Sequence, residues 1–248
     1  MIEICITHWP KLFNAKRILL KLDHRHYKIH KPYGYLSQFI NNQDRRRNKK
    51  LLGELGNFPP ETMAIGRLDE KSEGLLLLTT DGTVSEHIRS KSIEKEYYVQ
   101  VSGTITDEAI TALRAGTEIA QSSGTYTTLP CSVHHMAEPT YLGPPHRKRS
   151  ESHGPTSWLS ITLTEGKYRQ IRKMTAAVGY DTVRLIRIRI GDVLLGTMKS
   201  GEVEELLIRQ GSERVWTRSF VSSSLHWEKV YCSVWVGSRG SWDAMLGL

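Results

Sequence analysis

The sequence predicts an α+β fold. The prediction rests on two apolar patterns and on the kind of turns that separate the elements. After Trp158, residues 159–164 alternate between aliphatic and hydroxyl side chains, which is typical of a half-buried strand. Residues 75–78 are four consecutive leucines, a run short enough for a buried strand, and Asp81-Gly82 closes it with a turn. Strands and helices alternate irregularly with antiparallel-style turns, so the pattern favours α+β over a doubly wound parallel sheet.

Two further strands and a short helix are predicted in the first half of the chain. Residues 27–30 form a short strand that runs into a turn punctuated by Pro32 and Gly34. A helix is expected over about 83–89, after the leucine run. The β-branched and aromatic content of residues 97–101 predicts another strand.

The second half of the chain is predicted to hold two helices and a long strand. Thr106 is expected to cap a helix that ends at Gly116. An amphipathic helix follows over about 169–178. Residues 182–195 form a long strand whose aliphatic pattern slips by one residue after Leu185, which predicts a β-bulge.

Basic residues are abundant and clustered. The chain has 248 residues, with 34 Lys and Arg against 26 Asp and Glu and a net charge of +8. A polyanionic partner is plausible on charge, although many soluble proteins are as basic without binding one. The pattern predicts that Arg184, Arg187 and Arg189 lie on one face of the long strand, as either an RNA-cleft lining or a solvated face. The other basic runs are candidate RNA contacts or mere solubilising loops: Arg45, Arg46 and Arg47, and Arg147 and Lys148.

Several functional classes are disfavoured by the composition. No stretch approaches eighteen consecutive apolar residues and no secretory signal is evident, which argues against a membrane protein and favours the cytoplasm. The three cysteines are far apart, which fits a reducing compartment and argues against a CxxC metal site. The histidines at 24, 26 and 30 are expected to be ordinary surface or strand histidines, so we expect no metal.

Three ionisable residues stand out as candidates for chemistry. Asp69 lies just before the buried leucine strand, where a rigid element can hold a catalytic carboxylate, although a structural turn aspartate is the commoner case. Tyr97 begins a strand, where a tyrosine is usually part of the core. Arg172 lies on the polar face of a helix, where an arginine is usually solvated. On these residues alone, the chain is a basic α+β protein with candidate ionisable groups.

Longer motifs carry a resemblance to a known family. Residues 66–82 (GRLDEKSEGLLLLTTDG) resemble the catalytic motif of the RsuA-type branch of the pseudouridine synthases. Residues 95–99 (KEYYV) and 165–174 (EGKYRQIRKM) are similar to its next two motifs and occur in the family's order. Residues 31–39 (KPYGYLSQF) and 155–166 (PTSWLSITLTEG) resemble the RluE group most, whose members modify large-subunit ribosomal RNA.

The resemblance implies a fold and a division of the chain. The expected fold is a mixed, mostly antiparallel bent sheet with flanking helices and a central cleft. We expect an N-terminal extension at 1–25, a catalytic domain at 26–208 and a C-terminal extension at 209–248 of unassigned role, for which disorder is one interpretation. The 25 residues before the first motif are too few for the S4 RNA-binding domain that many RsuA-type enzymes carry, so we expect none.

The resemblance also implies a cofactor-free isomerisation of a uridine to pseudouridine. Asp69 would be the nucleophile, which attacks the sugar C1′ or, in an older account, the uracil base. Tyr97 would pack against the target base and act as general base, and Arg172 would pair with Asp69 and keep it ionised. Arg67 would hold the flipped nucleotide. The residues expected to bind RNA are Arg67, Lys31, Arg45, Arg46, Arg47, Arg147, Lys148, Arg169, Lys173, Arg184 and Arg187.

Two other functions remain open at this level. The same fold can serve a non-catalytic ribosomal RNA-binding or ribosome-assembly factor, which would not need all three candidate catalytic residues. The same chemistry can also act on another RNA, because the sequence contains no readable code for the target. In each case the expected partner is RNA, without a membrane or a small-molecule cofactor, and the chain is expected to be a monomer.

Overall fold

The computed structural model of this chain describes residues 24–40, 48–90, 93–146, 150–207 and 216–217. Most of the two predicted extensions therefore lies outside the described residues, as do the candidate RNA contacts Arg45, Arg46, Arg47, Arg147 and Lys148. Within the described part, no helix is long and apolar enough to cross a membrane.

The described elements are fourteen strands, three α-helices and two short 3₁₀ helices. The helices are α1 (Gly82–Arg89), α2 (Asp107–Ala115) and α3 (Gln170–Ala177), with 3₁₀ turns at Leu52–Leu55 and Glu151–His153. The strands are β1 (His26–Lys31), β2 (Tyr35–Leu36), β3 (Lys50–Leu51), β4 (Met63–Ala64), β5 (Glu73–Thr79), β6 (Lys95–Ser102), β7 (Glu118–Gln121), β8 (Gly124–Thr127), β9 (Ser132–Met136), β10 (Thr156–Leu163), β11 (Thr182–Ile190), β12 (Val193–Leu194), β13 (Val203–Leu207) and β14 (Trp216–Thr217).

One large sheet organises the described residues. It has ten strands, with a main path in the order β14-β13-β1-β5-β11-β6-β10-β9, while β4 pairs with β5 and β12 with β11. All its pairings are antiparallel except that of β5 with β11, which is parallel. The pairs β2-β3 and β7-β8 lie apart from it. This mixed, mostly antiparallel sheet with flanking helices confirms the predicted fold class.

The two faces of the sheet are covered differently. One face carries a single core that includes Leu75 and Leu77 of β5 and Ile186 of β11, and α1 packs on it through Ile88. The opposite face carries two separate cores. One joins β6, β10 and β11 to α2 and α3, and the other joins β1 and β5 to the 3₁₀ turn at Leu52–Leu55.

Between these two cores, four residues lie side by side across the sheet, and we call them the cleft floor. Gly74 is paired with Lys31 on one side and with Arg187 on the other, and Arg187 is in turn paired with Tyr97. Partners in register point to the same face of a sheet. The cleft floor therefore holds a lysine, an arginine and a tyrosine at the middle of an otherwise apolar surface.

Local sequence signals account for most of the predicted elements. The side chain of Thr106 accepts a hydrogen bond from the amide of Ala109, and α2 ends at Gly116 with φ of 100°, as its capping pattern predicts. Asp81 caps α1 in the same way through the amide of Thr83. In β10, the aliphatic residues that alternate from 159 to 163 are buried.

The predicted row of arginines on β11 is wrong. Register shifts relative to β6 occur between Thr182 and Arg184 and between Arg187 and Arg189, rather than after Leu185. Each shift reverses which face the following residue occupies. Arg187 consequently faces the cleft with Tyr97, while Arg184 and Arg189 are paired with Gln100 and Glu96 on the opposite face.

Candidate active site

The loop at 67–72, which leads into β5, is anchored at its start by a buried serine. The hydroxyl of Ser37 donates to the carbonyl of Leu68 at 2.7 Å and accepts from the amide of Leu68 at 3.0 Å. Ser37 is buried, so both backbone groups of Leu68 are satisfied without water. These bonds fix the backbone immediately before Asp69, whose own carbonyl accepts from the amide of Ser72 at 3.0 Å.

The end of the same loop is anchored by Arg172 of α3. Its Nη2 donates to the carbonyl of Lys71 at 2.7 Å and to the hydroxyl of Ser72 at 3.3 Å. Its Nη1 donates to the carbonyl of Thr182 at 3.3 Å, which ties the loop to the start of β11. The carbonyl of Glu70 also accepts from the amide of Gly34 at 2.8 Å. The backbone around Asp69 is therefore held by two separate parts of the chain, the turn at residues 34–37 and helix α3.

The side chain of Asp69 lines a small cavity together with Tyr97. Both residues are half-buried. The polar rim of the cavity includes Arg67 and Arg169. Apolar residues from three elements complete its lining, namely Leu163, Ile171 and Leu185. A carboxylate and a phenol beside an apolar lining suit a flat heterocycle attached to a polar sugar. The structure thus brings two of the three predicted catalytic residues into one cavity.

Arg172 does not form the direct pair with Asp69 that the motifs predict. Within the described residues, no ion pair of 4.0 Å or less joins the two side chains, and the guanidinium instead holds the loop backbone. Burial lowers the pKa of Arg172, the neighbouring Arg169 lowers it further, and the charge of Asp69 opposes both effects. Arg172 is therefore close enough to attract the Asp69 carboxylate. The Nε atom of Arg172 is buried and has no hydrogen-bond partner among the described residues.

Lys31 lies within the protein, so the prediction that it contacts RNA is wrong. Its side chain has no exposed surface, and its Nζ donates to the carbonyls of Pro32 at 2.9 Å and Tyr35 at 2.8 Å. Burial lowers the pKa of Lys31 to about 7, an effect that Glu73 and Asp69 partly oppose. Lys31 stabilises the turn that follows β1 and places a positive group beneath the cleft.

Arg187 supports Tyr97 from the cleft floor. Its guanidinium carbon lies 5.9 Å from the centroid of the Tyr97 ring, and its Nε donates to the carbonyl of Leu75 at 2.7 Å. Arg187 is buried, and its Nη2 has no hydrogen-bond partner among the described residues. The guanidinium therefore lies at the outer limit of a cation–π contact with the tyrosine ring, about 6 Å from the centroid.

A buried glutamate shapes the loop that leads into α3. Glu165 accepts hydrogen bonds from the Tyr126 hydroxyl at 2.7 Å, the Leu129 amide at 2.8 Å and the Gln170 side chain at 2.6 Å. Gln170 also accepts from the amide of Lys167 at 2.9 Å. Among the described residues other than glycine, Arg169 alone has a positive φ, at 52°. Such a conformation costs about 1–3 kcal/mol and persists only when its surroundings impose it.

The other predicted RNA contacts fall into two groups. Arg67 is exposed and Arg169 is half-buried, and both line the Asp69 cavity. Lys173 is half-buried and donates to the carbonyl of Ala120. Arg184 and Arg187 are buried. Arg184 forms an ion pair with Glu73 at 3.0 Å, so its charge is already compensated, and Arg187 faces the cleft beneath Tyr97.

Sequence reasoning missed the residues that hold the site together. Ser37, Glu165 and Gln170 lie inside the quoted motifs, but only their side-chain contacts reveal what they do. Gly74 has φ of 102°, and a glycine within an apolar strand was the available signal that another backbone approaches it closely. Among the described residues, no group of three or more His, Cys, Asp or Glu side chains is placed to hold a metal ion.

Comparison with known proteins identifies the family that these motifs suggest. Residues 25–177 match the family model described as RNA pseudouridylate synthase. The chain is 39% identical over 185 residues to ribosomal large subunit pseudouridine synthase E of Vibrio parahaemolyticus. This alignment covers 72% of this chain and 72% of the relative. It is 43% identical over 170 residues to the protein of that name from Xanthomonas axonopodis pv. citri, covering 66% of this chain and 84% of the relative.

A solved structure shows the same architecture. A crystal structure of a pseudouridylate synthase superposes with a TM-score of 0.59 at 25% sequence identity. The match covers 75% of this chain and 71% of the other. Every residue that lines the Asp69 cavity except Leu185 lies within residues 25–177, the part of the chain that matches the family model.

Proposed function

Because the chain belongs to the RNA pseudouridylate synthase family, we propose that it isomerises a specific uridine of large-subunit ribosomal RNA to pseudouridine. The family predicted from the motifs is confirmed. The substrate class follows from the relatives named ribosomal large subunit pseudouridine synthase E. One observation carries the proposal for the site: Asp69 and Tyr97 line the same cavity beside an apolar surface.

The reaction is an isomerisation and needs no outside reactant. The bond between the sugar C1′ and the uracil nitrogen breaks, the base turns, and a carbon–carbon bond to C1′ forms. A hydrogen leaves the base carbon that becomes bonded, and a proton is taken up at the freed nitrogen, so atoms and electrons balance. No cofactor is required for any of these changes.

Asp69 is the nucleophile of the proposed reaction. A carboxylate is effective in this role when it is ionised and held rigidly. The loop at 67–72 is fixed on both sides of Asp69 by Ser37 and Arg172. Burial lowers the pKa of Arg172 and of Lys31, and the charge of Asp69 partly opposes this in each case, so both groups lie close to the carboxylate. Arg172 acts mainly by positioning the loop.

Tyr97 receives the target base and acts as the general base that removes the sugar C2′ proton, which returns to C2′ before the product leaves. Flipping a base out of RNA costs a few kcal/mol. Stacking on an aromatic ring returns roughly 1–3 kcal/mol. Arg187 keeps the Tyr97 ring in place from below, and the exposed Arg67 is positioned to contact the flipped nucleotide. RNA affinity comes from Arg67, Arg169 and Lys173 and from the basic runs at 45–47 and 147–148.

Pseudouridine mapping of ribosomal RNA from cells with and without this protein tests the proposal. One uridine of the large-subunit RNA should lose its pseudouridine signature in the deletion strain. Re-expression of the natural chain or of Asp192→Asn, an exposed aspartate on a turn, should restore it, and Asp69→Asn should not. An unchanged map, or restoration by Asp69→Asn, would favour a non-catalytic ribosome-assembly factor. If the pseudouridine signature is lost only from transfer RNA, the substrate is a transfer RNA instead of ribosomal RNA.

The cellular setting belongs to the same proposal. We place the protein in the cytoplasm, because the proposed substrate is large-subunit ribosomal RNA. We expect it to act as a monomer, which sedimentation of the purified full chain measures directly.

A further inference from the structure

A second, larger cleft opens beside the Asp69 cavity. Its volume is about 660 Å³, and Arg169 lines both spaces. Tyr33 and His146 form one part of its wall, and Val183 at the first irregularity of β11 forms another. The remaining lining is largely charged, with Lys71 and Arg172 among its members. The catalytic chemistry described above makes no use of this space.

The aromatic part of the wall is a flat, preformed surface. The rings of Tyr33 and His146 are stacked, with centroids 4.7 Å apart and planes within 17° of each other. Tyr33 is half-buried, while His146 and Val183 are exposed. Flat aromatic surfaces of this kind bind single-stranded bases without regard to their identity.

The charged part of the wall favours an anion. Glu73 is the carboxylate of the lining, and its charge is compensated by Arg184 through two hydrogen bonds at 3.0 and 3.1 Å. Lys71, Arg169 and Arg172 make no ion pair with any of the described residues. Arg172 is engaged in holding the 67–72 loop, so Lys71 and Arg169 are the cations of the lining that remain without a partner among the ion pairs of the described residues. Two such cations beside a stacking surface are the combination that binds a nucleotide and its phosphate.

We propose that this cleft binds a nucleotide that neighbours the target uridine in the same RNA strand. The base stacks on Tyr33 of the aromatic wall, and the phosphate that links it to the target lies at Arg169, where the two spaces meet. This inference rests on the proposed function and names a part of the substrate that the Asp69 cavity does not contact. Two bases leave the RNA helix together, one for chemistry and one for positioning.

Abasic substitution at single RNA positions tests the inference. The probe is a synthetic fragment that carries the mapped uridine, with each flanking nucleotide replaced in turn by an abasic residue. For the natural chain, one flanking position should lower kcat/KM about tenfold, as expected for one lost stacking contact. In Tyr33→Ala and in Tyr33→Leu, which keeps apolar volume without a ring, that penalty should fall below about threefold.

Two controls separate this effect from misfolding. Tyr33→Phe keeps the ring and should restore the penalty. Tyr141→Ala removes an exposed aromatic residue that lines the adjoining cavity but not this cleft, and should leave the penalty at its natural value. Equal penalties in the natural chain and both Tyr33 variants would overturn the inference, as would loss of the penalty in Tyr141→Ala.

A direct reading of stacking distinguishes this inference from the proposed function. The same fragment with 2-aminopurine at the sensitive position, or at each flanking position in turn, should fluoresce less when bound to Asp69→Asn than when bound to Asp69→Asn with Tyr33→Leu. Quenching that depends on Tyr33 without any pseudouridine formed by the natural chain would contradict the proposed function alone. Pseudouridine formation with no quenching at any position would contradict the second base site alone.

Discussion

Replacing Gly74 by alanine tests whether the cleft floor depends on close contact between β5 and β11. Gly74 has φ of 102°, a conformation that residues with a side chain rarely adopt. A Cβ built on Gly74 would lie 2.3 Å from the carbonyl oxygen and 2.7 Å from the amide nitrogen of Arg187. Both atoms are backbone, so no side chain can rotate away to make room.

The magnitude of the effect follows from two terms. The left-handed conformation costs an alanine roughly 1–2 kcal/mol. Forcing an extra carbon into a packed interior costs about 1–3 kcal/mol more. Gly74→Ala should therefore lower the free energy of unfolding by about 2–5 kcal/mol. The Gly74→Ala molecules that remain folded should have a lower kcat, because Arg187 moves away from β5 and displaces the Tyr97 ring with it.

Urea unfolding of the purified chain measures the first effect and pseudouridine formation under saturating RNA measures the second. Gly82→Ala is the matched control, because Gly82 begins α1 and no atom lies within 4 Å of a Cβ placed there. That variant should unfold within about 0.5 kcal/mol of the natural chain. The reasoning is refuted if Gly74→Ala is as stable as the control or has a natural kcat.

Three further perturbations have expected outcomes. Ser37→Ala leaves both backbone groups of Leu68 unsatisfied and should lower the free energy of unfolding by about 1–3 kcal/mol. Its kcat should fall by a larger factor than its KM changes. A kcat equal to that of the natural chain would exclude a positioning role for Ser37. Glu73→Gln leaves the buried Arg184 unpaired and should cost about 3–5 kcal/mol in urea unfolding. Because the pKa of Lys31 is lowered to about 7, the unfolded chain binds the proton more tightly, so the natural chain should gain about 2 kcal/mol over Lys31→Met between pH 7 and 9. No such gain would mean that Lys31 titrates normally.

Local signals predicted the elements, because those signals act over a few residues. The strand at 27–30 is found as His26–Lys31, and the helix predicted over about 83–89 is found as Gly82–Arg89. Caps at Thr106 and Gly116 need only the backbone of one turn to operate. The interruption of β11 was predicted, but its positions were not, because bulges are set by the pairing with β6.

The site was predicted less completely, because its geometry depends on contacts between distant segments. Asp69 and Tyr97 were placed together by motif resemblance, and the cavity that they share supports this. The burial of Lys31 has no local signal in the sequence, because it arises from the pairing of β1 with the distant strand β5 and from the turn at Pro32 that folds back over the side chain. The same reason explains why Arg172 was expected to pair with Asp69, whereas its guanidinium holds the carbonyl of Lys71 two residues later.

The most direct test of the account compares the natural chain with Asp69→Asn in a single-turnover reaction. The purified full chain, in excess over a large-subunit ribosomal RNA transcript, is sampled over time, and pseudouridine is counted by mass spectrometry of the digested RNA. We predict about one pseudouridine per transcript from the natural chain and none from Asp69→Asn, although both bind the transcript equally. Conversion by Asp69→Asn at the natural rate would contradict the central claim that this carboxylate performs the chemistry.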